Sequence, residues 1–190
     1  GARGMPFDLN GSGQCGASQD LWRAAGAVMN EGVIPPGQGY NINAPNWPKM
    51  VGTAPNQLRC EFSPGKTSMC TSATAAAICQ HFADLSNSGK IQLTQNQVNF
   101  LNGSQVKAAI NGNTFSVAYL FQHLGGSSLH GKDGNIRSVL AQAKTGDVLR
   151  LDRTNGTGHS TIFKEIKGDQ FCYWTSNTGT NGAGVQCENL

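Results

Sequence analysis

At Gly146-Asp147 the hydrophobic spacing of this chain changes period, and that change most restricts the folds open to it. Upstream, apolar residues recur at helical intervals. Ala75, Ile78, Phe82 and Leu85 form one stripe of a helix expected over about 69–86. Downstream, residues 148–151, 160–166, 170–174 and 185–187 read as strands of period two. Turn residues separate them at Asn155-Gly156, Gly168-Asp169 and Gly182-Ala183-Gly184. Helices first and an antiparallel meander last make an α+β layout.

The remaining segments are less regular. Ser18 offers an N-cap for a helix through Leu21, Trp22, Ala25, Val28 and Met29, ended by Gly32. Shorter helices are expected over 94–101 (capped by Thr94), 104–110, 115–124 and 135–143. Residues 33–66 hold six of the seven prolines and keep no period, so they read as a long ordered loop of the kind that shapes a cleft. With 190 residues and no internal repeat, the chain is expected to form a single domain. Residues 1–66 make its helix- and loop-rich N-terminal part, and 67–190 its core.

Charge excludes some partners. The net charge is +3, from 14 basic and 11 acidic residues, and the basic residues are scattered, which argues against nucleic acid. No apolar run is long enough to span a bilayer, so no membrane insertion is expected. Gly1-Ala2-Arg3-Gly4 reads as a vector-derived tail ahead of a native Met5, which gives the expectation of a chain without a Sec signal.

Chemistry concentrates at two places. Cys70 stands at the amino end of the 69–86 helix, where unpaired N–H groups and the helix dipole favour a thiolate. His159 opens the strand after Gly156-Thr157-Gly158 and could serve as the base. The third position of such a constellation orients the imidazole. Asn177 is the candidate, with Thr175, Ser176 and the Asn177 backbone carbonyl as competitors. Each residue also has a structural reading: a buried small thiol for Cys70, a surface turn for His159, and backbone turn chemistry for Asn177. His123 and His130 are seven apart, which is no metal spacing, and His81 could line a cleft or be solvated. No metal and no cofactor are expected. The sequons at Asn10, Asn102 and Asn155 read as turns, and Trp22, Trp47 and Trp174 as core.

Six cysteines leave room for disulfides. Cys172 and Cys187 flank a Gly/Asn-rich turn and could face each other across a hairpin. Cys15 with Cys60 is the next pair. Cys79, nine residues after Cys70 on one helix, is too far along the axis to bridge it and is expected to pack as a small apolar group.

A helix-capping Cys70, the Gly146-Asp147-Val148 entry to a strand, Gly158-His159 opening the next, and the closing 173–182 stretch together resemble the NlpC-type and CHAP cell-wall hydrolases. The resemblance covers roughly residues 65–190. It implies a papain-like fold and cleavage of an amide bond in the stem peptide of bacterial peptidoglycan, with Cys70, His159 and Asn177 as catalytic residues. The cysteine context, Cys70-Thr71-Ser72, departs from the Cys-Ser-Gly type usual there. Cys15 is a rival nucleophile, but a papain-type run would place the thiol where Ser18 stands. The chain also resembles the leaderless antibacterial amidases of type VI secretion. That resemblance implies action in a periplasm or cell wall and an immunity protein as partner. A protein-directed cysteine protease or transglutaminase, a non-catalytic binding module on the same fold, and a secreted disulfide protein remain open alternatives.

Overall fold

The alanine-rich run after Met69 folds as expected into a helix, Cys70–Asn87 (α1), in the computed structural model, which describes Ile34 and residues 36–43, 45–62, 67–101, 137, 140–152 and 158–190. Before it, residues Lys49–Thr53 (β1) and Gln57–Glu61 (β2) pair antiparallel. After it come a short helix, Gln95–Leu101 (α2), and four strands: Val148–Asp152 (β3), Gly158–Lys167 (β4), Gln170–Asn177 (β5) and Gly182–Asn189 (β6). The four form one antiparallel sheet in chain order. The described residues thus form a mixed α/β arrangement with two antiparallel sheets and few helices.

The hairpin corrects the reading of 33–66 as a loop throughout. Its signal is masked by proline and glycine, both of which the turn and bend use. Gly52 has φ +108°, and a Cβ there would lie 1.8 Å from the Gln57 carbonyl oxygen, so only glycine fits. The expected helices over 18–32, 104–110 and 115–124 lie outside the described residues. So do Cys15, Trp22, His123, His130 and the sequon asparagines Asn10, Asn102 and Asn155.

Among the described residues α1 lies between the hairpin and the four-stranded sheet. Fifteen of its 18 residues are buried, because both of its long faces are covered. Ala75, Ile78, Cys79, Phe82, Ala83 and Leu85 pack with Met50 and Leu58 of the hairpin and with Ile91, Leu93 and Val98. Ala73, Ala76 and Ala77 pack with Ile162, Trp174 and Ala183 of the sheet. Three alanines on that side let the helix lie close against the strands. The far face of the sheet carries a separate cluster of Leu140, Phe163, Phe171 and Tyr173, flanked by Leu149, Leu151 and Leu190. Trp174 is core, and Trp47 packs against the hairpin side. No helix among the described residues is long and apolar enough to cross a membrane.

Two disulfides join these parts. Cys172 and Cys187, directly opposite each other on β5 and β6, are bonded as the hairpin geometry suggested. The second corrects two expectations. Cys79 does not simply pack as an apolar group, and Cys60 is not left for Cys15. The two are bonded to each other with Cα atoms 5.7 Å apart, tying β2 to α1. Cys79 faces the hairpin on the same stripe as Ala75 and Phe82, so a thiol on β2 meets it there. Nothing in the spacing of a single helix could announce that partner.

Candidate functional site

Cys70 is the first residue of α1, 6% exposed, and is the free cysteine among the described residues. The residue before it, Met69, is extended (φ −125°, ψ 170°) and offers no side-chain cap to the first-turn N–H groups. Instead the Met69 N–H donates to Ser72 Oγ at 3.0 Å, and Ser72 Oγ donates to the Met69 carbonyl at 3.2 Å. The helix therefore starts firmly while, among the described residues, the Cys70 and Thr71 N–H groups keep no side-chain acceptor.

A band of buried hydroxyls surrounds this helix start. Cys70 Sγ is 3.7 Å from Thr71 Oγ1, which donates to Ser160 Oγ of β4 at 3.5 Å. Ser68 Oγ and Ser176 Oγ of β5 share a 2.6 Å hydrogen bond. Tyr40 completes the band from the other side. It lies alongside Ser68 in a parallel bridge, with the Asn41 N–H donating to the Ser68 carbonyl and the Ser68 N–H to the Gly39 carbonyl. Burial, and next the nearby Cys70 charge, push the Tyr40 phenol up from its ordinary pKa. Gly182 makes this approach possible. A Cβ there would stand 2.9 Å from the Gly39 nitrogen, whose N–H donates to the Asn181 carbonyl.

His159 lies elsewhere. It sits second in β4, opposite Leu151 of β3. Ile162 of the same strand belongs to the α1 side, whereas Phe163 belongs to the far cluster. By alternation His159 shares the face of Phe163. Its ring accordingly meets Tyr173 edge-on, with centroids 5.8 Å apart, and Leu151 packs on the same cluster. The thiol stands on the α1 side of the sheet and the imidazole on the other. The residue of β4 whose side chain reaches the helix start is Ser160.

Asn177 ends β5 and is engaged in the β5–β6 turn. Its Oδ1 accepts from the Thr180 N–H at 2.9 Å and from Thr180 Oγ1 at 3.1 Å, while Nδ2 donates to Gln186 Oε1. Of its competitors, Ser176 points to Ser68 and Thr175 to the Ser160 carbonyl. The structure thus brings Cys70 together with Thr71, Ser160, Ser68, Ser176 and Tyr40, and places His159 and Asn177 outside that band. Tyr40 carried no signal in a proline-rich stretch without period. Ser160 had one, its two-residue offset from Ile162, but the adjoining Phe163 gave the opposite face an equal claim. The fourth histidine, His81, is 4% exposed on α1, and among the described residues its Nε2 meets no hydrogen-bond partner. No family model, curated protein or solved structure matches the chain.

Proposed function

We propose that the chain is a cysteine hydrolase of amide bonds, papain-like in layout, with the stem peptides of bacterial peptidoglycan as substrate. One observation carries the reading. Among the described residues four cysteines are paired, and the one left as a thiol opens a buried helix whose first two N–H groups, those of Cys70 and Thr71, lack a side-chain cap. Those groups favour a thiolate and would hold the oxyanion of a tetrahedral adduct. Cys70 Sγ attacks the carbonyl carbon, the C–N bond breaks, and His159 passes the proton to the leaving amine. Water then hydrolyses the thioester. Asn177, or Ser176 or Thr175 in its place, orients the ring. This reading requires His159 to serve the α1 face, opposite the one it takes beside Tyr173. The disulfides suit an oxidising compartment, in keeping with action in a periplasm or cell wall. Delivery by type VI secretion and a dedicated immunity protein belong to the same reading.

The test is digestion of purified sacculi, with muropeptides read by mass spectrometry. Wild type is expected to release new fragments, and Cys70→Ala and His159→Ala to lose about 10³-fold or more of that activity. Fragments persisting in Cys70→Ala would overturn the nucleophile. A second reading has its own support in the placement of His159 against Tyr173 and of Asn177 in a turn: a non-catalytic binding module. It predicts that wild type sediments with sacculi, releases nothing, and leaves Cys70 inert to iodoacetamide at neutral pH.

A further inference from the structure

The chain between β2 and α1 is closed into a covalent loop, and the candidate nucleophile lies inside it. Cys60 and Cys79 are 19 positions apart, with Cys70 ten after the first and nine before the second. Away from α1, the hairpin that this bond ties down is anchored by the Ala54 N–H, which donates to Gln95 Oε1 of α2 at 3.4 Å, and by the packing of Trp47 and Ala54. One side chain of each strand is fully buried, Met50 in β1 and Leu58 in β2. A two-stranded hairpin is marginal by itself, so its position depends on what fastens it to α1. The side-chain fasteners sit at the far end of the helix. Asn87 Oδ1 accepts from the Leu58 N–H at 2.8 Å, its Nδ2 donates to the Leu58 carbonyl at 2.6 Å, and Ser86 Oγ donates to the Pro55 carbonyl. Cys79 is the covalent fastener nearer the amino half, two turns and a half from the thiol's end of α1.

The other disulfide is differently placed. Cys172 and Cys187 belong to strands already paired over eight residues, so opening it leaves the backbone ladder in place.

We propose that Cys60–Cys79 is a redox latch on the Cys70 site: closed, it holds the hairpin on α1; open, it frees the hairpin from the helix and unseats the thiol. Opening is a two-electron exchange with a dithiol reductant. Its thiolate attacks the sulfur of Cys60, which is half-buried, whereas Cys79 is 3% exposed. The S–S bond breaks, the reductant closes to its own disulfide, and Cys60 and Cys79 each take up one proton. A chain in a reducing compartment is then unlatched and its thiol displaced. The consequence for activity rests on the hydrolase reading; the geometric claim does not.

The experiment compares the full chain as wild type, as Cys60→Ser/Cys79→Ala, and as Cys172→Ala/Cys187→Ala. The rate of Cys70 alkylation by iodoacetamide is read by peptide mapping, and far-UV circular dichroism is recorded in parallel. The first variant is expected to alkylate roughly tenfold or more faster than wild type with its strand signal retained, and the second within about twofold of wild type. Equal rates in all three forms would overturn the latch. So would equal acceleration in both variants, or loss of the whole circular dichroism signal in the first, since either means general destabilisation. Muropeptide release measured alongside separates the two claims. A latched but inactive protein sinks the hydrolase alone, and an active protein with unaltered alkylation sinks the latch alone.

Discussion

The hairpin side and the sheet side of α1 solve the same packing problem in different ways. On the sheet side, four strands pair in chain order and present Ile162, Trp174 and Ala183 to three helix alanines. The backbone ladder sets the position of every side chain, and the disulfide there adds to an arrangement already fixed. On the hairpin side, two short strands contribute Met50 and Leu58, and helix side chains do the fastening through Asn87, Ser86 and Cys79. Loop-closure entropy alone would make the two bonds nearly equal, at about 3 kcal/mol each for loops of this length. Their structural roles differ because one joins neighbours and the other joins elements.

That contrast can be broken by experiment. The largest expected effect is Phe82→Ala. Phe82 is 1% exposed between helix and hairpin, and its loss should destabilise by about 3–5 kcal/mol in chemical denaturation. A change below about 1 kcal/mol would mean that the hairpin core is far looser than the sheet core.

Next comes pH. His81 is held well below the usual histidine range, at about 4, by burial and then by the Lys90 charge. In the unfolded chain it takes a proton near pH 6.5, whereas folded it stays neutral until about 4. Stability is therefore complete above pH 6.5, falls as pH drops towards 4, and is level below that. The full loss is about 3 kcal/mol. Denaturation midpoints measured between pH 7 and 4 should show this slope in wild type and lose part of it in His81→Leu. An unchanged slope would place the acid sensitivity elsewhere.

The smallest effect sharpens the sheet side. Asn177→Ala removes the side-chain acceptor for the Thr180 N–H and should cost about 1 kcal/mol through the turn. If muropeptide release is observed in wild type, a loss in Asn177→Ala far beyond that stability change would restore a catalytic role to Asn177.

Much of the sheet side was legible in the sequence, because alternation and turn glycines are local signals. β3 to β6 follow the expected runs, each extended by one or more residues, and α1 begins one residue after the expected start at 69. The hairpin side was not. Prolines and glycines between 33 and 66 looked like breakers, yet they shape the bend and turn of a hairpin. The Cys60–Cys79 bond joins elements whose meeting depends on the third dimension. The face of His159 was undecidable for a related reason. Residues 160–163 are buried on both sides of the sheet, and a strand buried on both faces has no readable period.

A helix enclosed from both sides also sets an order of events during synthesis. β1, β2 and α1 leave the ribosome long before residues 148–190, which supply the strands that cover Ala73, Ala76 and Ala77. Until then the alanine face of α1 lacks Ile162, Trp174 and Ala183 and keeps only Ile34 and Phe62 of its cluster, and an alanine face left partly open is a surface for chaperones or for other nascent chains. The molecule can finish folding only when its last strands arrive.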